Sequence, residues 1–412
     1  MASGKPLSDV GTSSPASDSN RLTRADRSPL GDWWWTIDKV SLLTMLLLLT
    51  IGIVMSFAAS PPIARDLNLS NEFHFVHKHL VFLIPTLGLM VALSMMDKQL
   101  IVRLSLLLFF GAIGGMLLAI AFGAEIKGSR RWVDLGFFQM QPSEFVKPAL
   151  VVVCAWLFAE HAKRPDLKAN LMAAGLFVLT GAILIAQPDI GQTVLVTGVW
   201  GLLFFVAGMS WVWIGVLGSL ALSGIGAAYV FIPHVASRID RFLNPESGDN
   251  HQTDRAIDSF VEGGLFGRGP GEGVVKEHLP DSHTDFLFAV IAEEFGILVC
   301  LMIVALYLFV FLRAVRCALT VEDLFSRFTI VGLVGLLAMQ ATINMGVNLQ
   351  LLPAKGMTLP FLSYGGSSLF SVGITSGILL ALTRRTPATR TGQPSTGHTL
   401  SPWRWSMQGR SS

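Results

Sequence analysis

The sequence predicts an all-α, polytopic membrane protein of about ten transmembrane helices, with one long extracytoplasmic loop between the seventh and the eighth. Three observations carry that prediction. Of 412 residues, 52% are hydrophobic and only 14% charged, with a mean hydropathy of +0.58; soluble domains carry roughly 25% charge. The apolar residues gather in runs long enough to cross a hydrocarbon core of ~30 Å. The charged residues gather in short blocks between those runs and in two polar tails.

Met1 to Asp32 is polar and rich in Ser, Gly and Pro, too poor in apolar side chains to offset the entropy of ordering, and no cleavable signal peptide is read there. Trp33, Trp34 and Trp35 form an interfacial belt before the first span. Residues 1–38 and 386–412 therefore read as disordered tails around a transmembrane domain over 39–385. Spans are read at roughly 40–59, 77–96, 102–123, 145–161, 170–186, 190–208, 211–232, 285–312, 327–348 and 366–383. An even count puts both termini on one side. Lys98, Arg103, Lys163, Arg164, Lys168, Arg313, Arg316 and Arg327 then fall in cytoplasmic connections, which favours cytoplasmic termini. Lys127, Arg130, Arg131, Arg238, Arg241, Arg255, Arg268, Lys276 and Lys355 fall on the other side. Such an excess of outer cations calls for a bound anion. The long connection, residues 233–284, contains the helix-compatible stretch RAIDSFVEGGLF, expected to fold against the membrane surface.

Several function classes drop out. A net charge of +2 gives no footing for nucleic acid. Cys154, Cys300 and Cys317 lie in or beside apolar runs and imply no disulfide framework. No Cys/His set has zinc spacing, and no metal-ligating residues are assigned. GRGPGEG carries Pro270 and lacks the lysine–hydroxyl pair of a phosphate-binding loop. Any chemistry rests on residues fixed by membrane helices at the outer face.

Four constellations suit that role. In GSRRWVDLGFFQMQPSEFVK, Glu144 and Lys147 are three apart and share a helix face. They form either a structural ion pair or a cavity wall in which Lys147 meets a phosphate. In QPDIGQ, Pro188 and Gly191 make a turn whose Asp189 caps the next helix or lines a polar cavity. QLLPAKGMTLPFLSYGGSS reads as a re-entrant or broken segment, or as a plain outer loop. Lys355 there can hold an anionic headgroup, and Ser363, Tyr364 and Ser367 offer hydroxyls. Finally, PDSHTDFLFAVIAEEFG sets an acid cluster at the head of a membrane helix, with Glu293 and Glu294 about two turns deeper. Asp285 is either a first-turn acid favoured by the helix dipole or a working carboxylate. His283 is either a hydrogen-bonded structural residue or a proton carrier.

PDSHTDFLFAVIAEEFG, LLPAKGMTLPFLSYGGSS, RRWVDLGFFQMQPSEFVKP and AQPDIGQTVL resemble, in order, the motifs of the SEDS (shape, elongation, division and sporulation) family. The similarity runs from Asp38 to Arg385. Ala354-Lys355-Gly356 after Leu352-Pro353 resembles the division branch more than the elongation branch. The resemblance implies a peptidoglycan glycosyltransferase that polymerises lipid II at the outer face of the cytoplasmic (inner) membrane, at the division septum. It implies a class B penicillin-binding protein transpeptidase as partner, among other divisome membrane proteins. The family's essential acid falls on Asp285. Where the family carries Glu after Leu-Pro this chain has Asp281, and Gln139 stands where some members are basic.

The donor sugar leaves as a lipid diphosphate, already a good leaving group, whereas the acceptor 4-hydroxyl gains roughly 10²–10⁴-fold from a positioned base. That base is expected to be Asp285, with one inverting displacement turning an α linkage into β-1,4. Charge on the diphosphate would be met by Lys355 and Lys147, then Arg238 or Arg241, or by a divalent cation, Mg or Mn. His283, Ser363, Tyr364 and Ser367 complete the substrate-binding set, with Glu294 orienting rather than reacting. A lipid II flippase and a division scaffold without chemistry are the rival readings. Polar groups gathered at one face, with no inverted repeat, disfavour the flippase.

Overall fold

The computed structural model describes residues 28–126, 129–134, 136, 139–209, single positions between 212 and 240, 251–353 and 356–384. The chain divides into two units, one of Met1–Ile37 with Thr386–Ser412 and one of Asp38–Arg385. In the first, the three tryptophans sit on a short helix, α1 (Pro29–Thr36), whose N-cap Ser28 hydroxyl accepts from Gly31 N at 3.1 Å.

The second unit is a helical bundle: α2 (Lys39–Asp66), α3 (His74–Ser94), α4 (Lys98–Phe122), α5 (Pro142–Lys163), α6 (Ala169–Ala186), α7 (Ile190–Val206), α8 (His251–Gly263), α9 (Leu287–Thr320), α10 (Leu324–Asn348) and α11 (Gly366–Leu382). Seven of these are long and apolar enough to cross a membrane, and α7 and α11 are shorter apolar helices. The expected span at 211–232 lies largely outside the described residues. The helix expected in RAIDSFVEGGLF is α8. Asp38, Asp97, Asp189 and Asp323 accept hydrogen bonds from the amides of the first turns of α2, α4, α7 and α10. Each thereby satisfies donors that have no partner within the helix.

Apolar side chains are buried on one side of the bundle's helices and left exposed on the other. α5, α10 and α11 are the most enclosed, whereas α3, α4 and α6 keep exposed apolar faces. α11 lies against α3, where a Cβ on Gly373 would stand 2.8 Å from Thr86 Cγ2; small residues let the two backbones approach.

The connection after α4 is a small exception to the all-α expectation: it is an antiparallel meander, β1 (Ala124–Ile126), β2 (Ser129–Asp134) and β3 (Gln139–Met140). Arg131 on β2 ties it to the α6–α7 turn. Its guanidinium donates to the carbonyls of Gln187 (3.2 Å) and Pro188 and pairs with Asp189 at 3.4 Å. Burial pushes the Asp189 carboxyl above its usual range, against the pull of Arg131. Gln141 N bonds Ser367 Oγ at 2.9 Å, and Arg65 bonds Glu277 at 3.3 Å, so these connections share one end of the bundle. At the other end Arg313 grips Asp38 through Nε (2.7 Å) and Nη2 (2.5 Å), and Lys98 bonds Asp323 at 2.8 Å.

Candidate active site

The apolar run after Asp285 reads as one continuous span, but α9 is broken at Gly296, which has φ 81° and ψ 173°. A break inside an apolar bundle leaves backbone groups that must find partners. The preceding loop supplies them. Arg268 N and Gly269 N donate to the carbonyls of Glu293 (2.9 Å) and Glu294 (3.0 Å), and Ile297 N donates to Gly264 O at 3.0 Å. A Cβ on Gly296 would lie 2.4 Å from Leu265 O, so glycine is required there both for its φ and for the close approach.

The break isolates a short helix, 287–295, with Asp285 ahead of it and two glutamates at its end. Glu293 is fully buried, and its carboxylate accepts the amides of Val274 (2.6 Å), Val275 (2.7 Å) and Lys276 (2.9 Å). Those amides open a 3₁₀ turn (Val275–His278), Val274 being its N-cap. Glu294, also buried, pairs with the ammonium of Lys276, which donates in addition to Ala58 O on α2 at 3.3 Å. Glu294, expected to orient rather than react, here holds the Lys276 ammonium at the end of the short helix. As a direct substrate contact it is corrected, because its carboxylate is enclosed against Lys276.

Asp285 sits in the turn before α9 and is half-buried. Its amide donates to Asp281 O at 3.1 Å, and Asp281 holds φ 55° to close the turn. Its carbonyl accepts two side-chain bonds from α10, from Asn344 Nδ2 (2.8 Å) and Asn348 Nδ2 (3.0 Å). Asn344 Nδ2 also donates to Met357 O at 2.6 Å, and Asn348 Oδ1 accepts from Ala289 N at 3.1 Å. Two asparagines one turn apart thus lock the Asp285 turn, the start of α9 and the 357 segment together. The Asp285 carboxylate faces Gly356, where an added Cβ would lie 3.3 Å from Oδ2.

His283 and Tyr364 stack at 5.6 Å between centroids, and Phe75 closes on His283 at 4.5 Å. Burial in this aromatic nest pushes the His283 imidazole down to about 4, although Asp281 pulls the other way, and it pushes the Tyr364 hydroxyl up to about 12. His283 is therefore neutral near pH 7 and does not serve as a cation for phosphate. Ser363 is corrected as a free hydroxyl: Oγ accepts Leu359 N (2.9 Å) and donates to Thr284 O (2.5 Å), fastening the 359–363 turn to the acid loop. Ser367, 3% exposed, is engaged by Gln141.

Lys147 is corrected as well. It is 2% exposed, and its ammonium donates to both oxygens of Glu144 (2.9 Å each) and to Gln340 Oε1 (3.2 Å). A lysine has three N–H groups, so none is left for a phosphate. Gln192 donates to Glu144 Oε1 at 2.7 Å, and Gln340 donates onward to Thr358 O at 3.1 Å. The pair is a structural brace that reaches the 350–368 segment. Lys355, Arg238 and Arg241 lie outside the described residues.

Sequence reasoning passed over Gln340, Asn344 and Asn348. Their spacing of four in LLAMQATINMGVNLQ puts three amides on one stripe of an apolar helix, which is the signal that finds them. Gln192 entered only as part of the QPDIGQ turn and Lys276 only as one of the outer cations, yet each is the polar partner of a buried acid.

The fold and site define an integral-membrane bundle with a half-buried carboxylate at one end, held by a broken helix and an asparagine clamp. The chain belongs to the cell cycle protein family of FtsW, RodA and SpoVE, whose model matches residues 38–387. It is 43% identical over 366 residues to the probable peptidoglycan glycosyltransferase FtsW of Caulobacter vibrioides, covering 89% of this chain and 94% of that one. It is 34% identical to the stage V sporulation protein E of Bacillus subtilis, over 84% and 97% of the two chains. Among solved structures it is similar to a chain from a peptidoglycan synthase complex that coordinates polymerization and crosslinking, with a TM-score of 0.71, 28% identity, and 85% and 98% coverage. It is similar also to the rod shape determining protein RodA of Thermus thermophilus, with a TM-score of 0.62, 26% identity, and 85% and 97% coverage.

Proposed function

We propose that this chain is a peptidoglycan glycosyltransferase that joins lipid II units into β-1,4 glycan strands, with Asp285 as general base. The observation that carries the reading is the Asp285 turn: a half-buried carboxylate whose backbone is fixed by Asn344 and Asn348 while its side chain faces the narrow Gly356 segment. Fixing the backbone of a base limits the positions its carboxylate can take, which is worth most when the nucleophile is a weak hydroxyl.

In the reaction, the acceptor 4-hydroxyl gives its proton to the Asp285 carboxylate as its oxygen attacks C1 of the donor sugar. The bond from C1 to the lipid diphosphate oxygen breaks on the opposite face, and the configuration inverts. The departing diphosphate needs cations. Of the cations expected to meet it, Lys147 is committed to Glu144 and Gln340, and Lys355, Arg238 and Arg241 are assigned that role. Among the described residues no group of three His, Cys, Asp or Glu is placed to hold a metal.

The same reading places the Asp285 end outside the cytoplasmic membrane at the septum, with both termini cytoplasmic and a class B penicillin-binding protein as the crosslinking partner. The relatives named FtsW and the similarity to a chain of a peptidoglycan synthase complex support it. Purified protein incubated with labelled lipid II tests it. Polymer on a gel supports the reading, whereas movement of label between leaflets without polymer supports a flippase instead.

A further inference from the structure

A cavity of about 440 Å³ opens between the outer half of α2 and the Pro270–Glu277 stretch, away from the Asp285 carboxylate. Its groups follow a definite order along α2. Val54 and Phe57 are 48% and 49% exposed on an apolar spanning helix, and Phe295 continues the apolar wall. Next comes Lys276, 5% exposed, whose ammonium spends two of its three N–H groups on Ala58 O and Glu294. Beside it, Glu294 Oε2 is buried with no hydrogen-bond partner among the described residues. Arg65, in the last turn of α2, is seven residues and about 10 Å beyond Ala58. It reaches Glu72 (3.2 Å) and Glu277 (3.3 Å) through Nε and Nη1 and keeps N–H groups of its fork uncommitted.

The sequence of apolar wall, buried N–H donor, guanidinium and paired carboxylates is also the sequence of a glycerophospholipid: acyl chains, ester carbonyls, phosphate and headgroup cation. The two carboxylates flanking Arg65 narrow the class. A headgroup with no positive charge would bring only anionic and hydroxyl groups to Glu72 and Glu277, and a choline would bring charge without an N–H donor. A primary ammonium supplies both. We propose that this cavity seats one bilayer phospholipid of the phosphoethanolamine type, with its phosphate on Arg65, its ammonium between Glu72 and Glu277, and an acyl chain along Val54 and Phe57. The floor of the seat is the Lys276–Glu294 pair that ends the short helix headed by Asp285, so an occupant braces that helix from the lipid side. The inference concerns lipid binding and stands apart from the reading of the catalytic activity.

The test is native mass spectrometry of the full chain, freed of lipid in detergent and offered equimolar phosphoethanolamine, phosphocholine and phosphoglycerol lipids with identical acyl chains. Wild type is expected to retain one phosphoethanolamine lipid with a preference of about fivefold, the scale of one or two charge-assisted hydrogen bonds. Arg65→Ala and the wall-filling Val54→Trp are expected to lose that preference, and Glu277→Gln to bring phosphoethanolamine down toward phosphocholine. The thermal midpoint should rise with phosphoethanolamine lipid in wild type and not in Arg65→Ala. Equal retention of the three lipids by wild type overturns the proposal, as does an undiminished preference in Arg65→Ala. Arg65 is exposed, so that variant decides the matter even if Val54→Trp fails to fold.

Discussion

Asn344→Leu removes the residue that joins the acid loop to the 357 segment while nearly keeping its shape. In the wild type Asn344 Nδ2 donates to Asp285 O at 2.8 Å and to Met357 O at 2.6 Å, and the side chain is buried. After substitution the Asp285 carbonyl keeps Asn348, at 3.0 Å, but the Met357 carbonyl loses the side-chain donor that served it. A buried carbonyl so stranded costs about 1–3 kcal/mol and each net hydrogen bond about 0.5–1.5 kcal/mol, which gives a loss of about 2–4 kcal/mol. A protein of this size with that loss still folds, but the Asp285 and Gly356 walls are no longer tied. A shift of about 1 Å in a reacting group costs on the order of 10²-fold in rate. Polymerisation of labelled lipid II should therefore fall by about that factor in kcat with KM changed only slightly, since Asn344 positions the base and does not touch substrate. The thermal midpoint of the same preparation should fall by a few degrees. Polymerisation within twofold of wild type, alongside the expected loss of stability, would refute the idea that the asparagine clamp positions Asp285.

Other perturbations bear on the supports of the site. Lys147→Met strands the buried Glu144 carboxylate and should destabilise by about 3–5 kcal/mol, whereas Glu144→Leu combined with Lys147→Met should lie closer to wild type; thermal unfolding of the single and double variants checks the order. Gly296→Ala demands φ 81° of an L-residue and drives a methyl to 2.4 Å from Leu265 O, so it should lower the midpoint sharply or prevent folding, and an unchanged midpoint would contradict the broken-helix account. His283 has its folded pKa pushed down to about 4 from 6.5 by burial. A depressed histidine contributes stability fully above its unfolded pKa, so that contribution should fade as pH drops from 6.5 toward 4, by up to on the order of 3 kcal/mol. The difference between wild type and His283→Gln in midpoint against pH isolates that share, and parallel curves would show that His283 is not the group responsible.

The bundle was legible because hydropathy alone marks spans, and the caps at Asp38, Asp97, Asp189 and Asp323 stand where the apolar runs begin. The acid loop was legible from its polar block at the head of a span. The break at Gly296 was not, because the apolar runs LFAVIA and ILVCLMIV flank EEFG closely enough to read as one span. What requires the break is the backbone of residues 264–269, and the only trace in sequence is the run of glycines at 264, 267 and 269. The meander over 124–140 was hidden for a related reason, since SRRWVD is too short and too charged to show a two-residue period. Lys147 could be seen to pair with Glu144 from their spacing. That its third proton goes to Gln340, distant in sequence, emerges only once α5 and α10 are packed. The serines misled in the same way, for a hydroxyl in a loop reads as available until Thr284 and Gln141 are found against it.

The central claim is that one carboxylate at the tip of the short helix takes the proton of an incoming sugar. The most direct measurement is single-turnover polymerisation of labelled lipid II by purified wild type and Asp285→Asn, with lipid II binding measured on the same samples. The account predicts that Asp285→Asn still binds lipid II and loses at least about 10²-fold in the chemical step. A variant that binds and polymerises within a few-fold of wild type would show that the base is somewhere else.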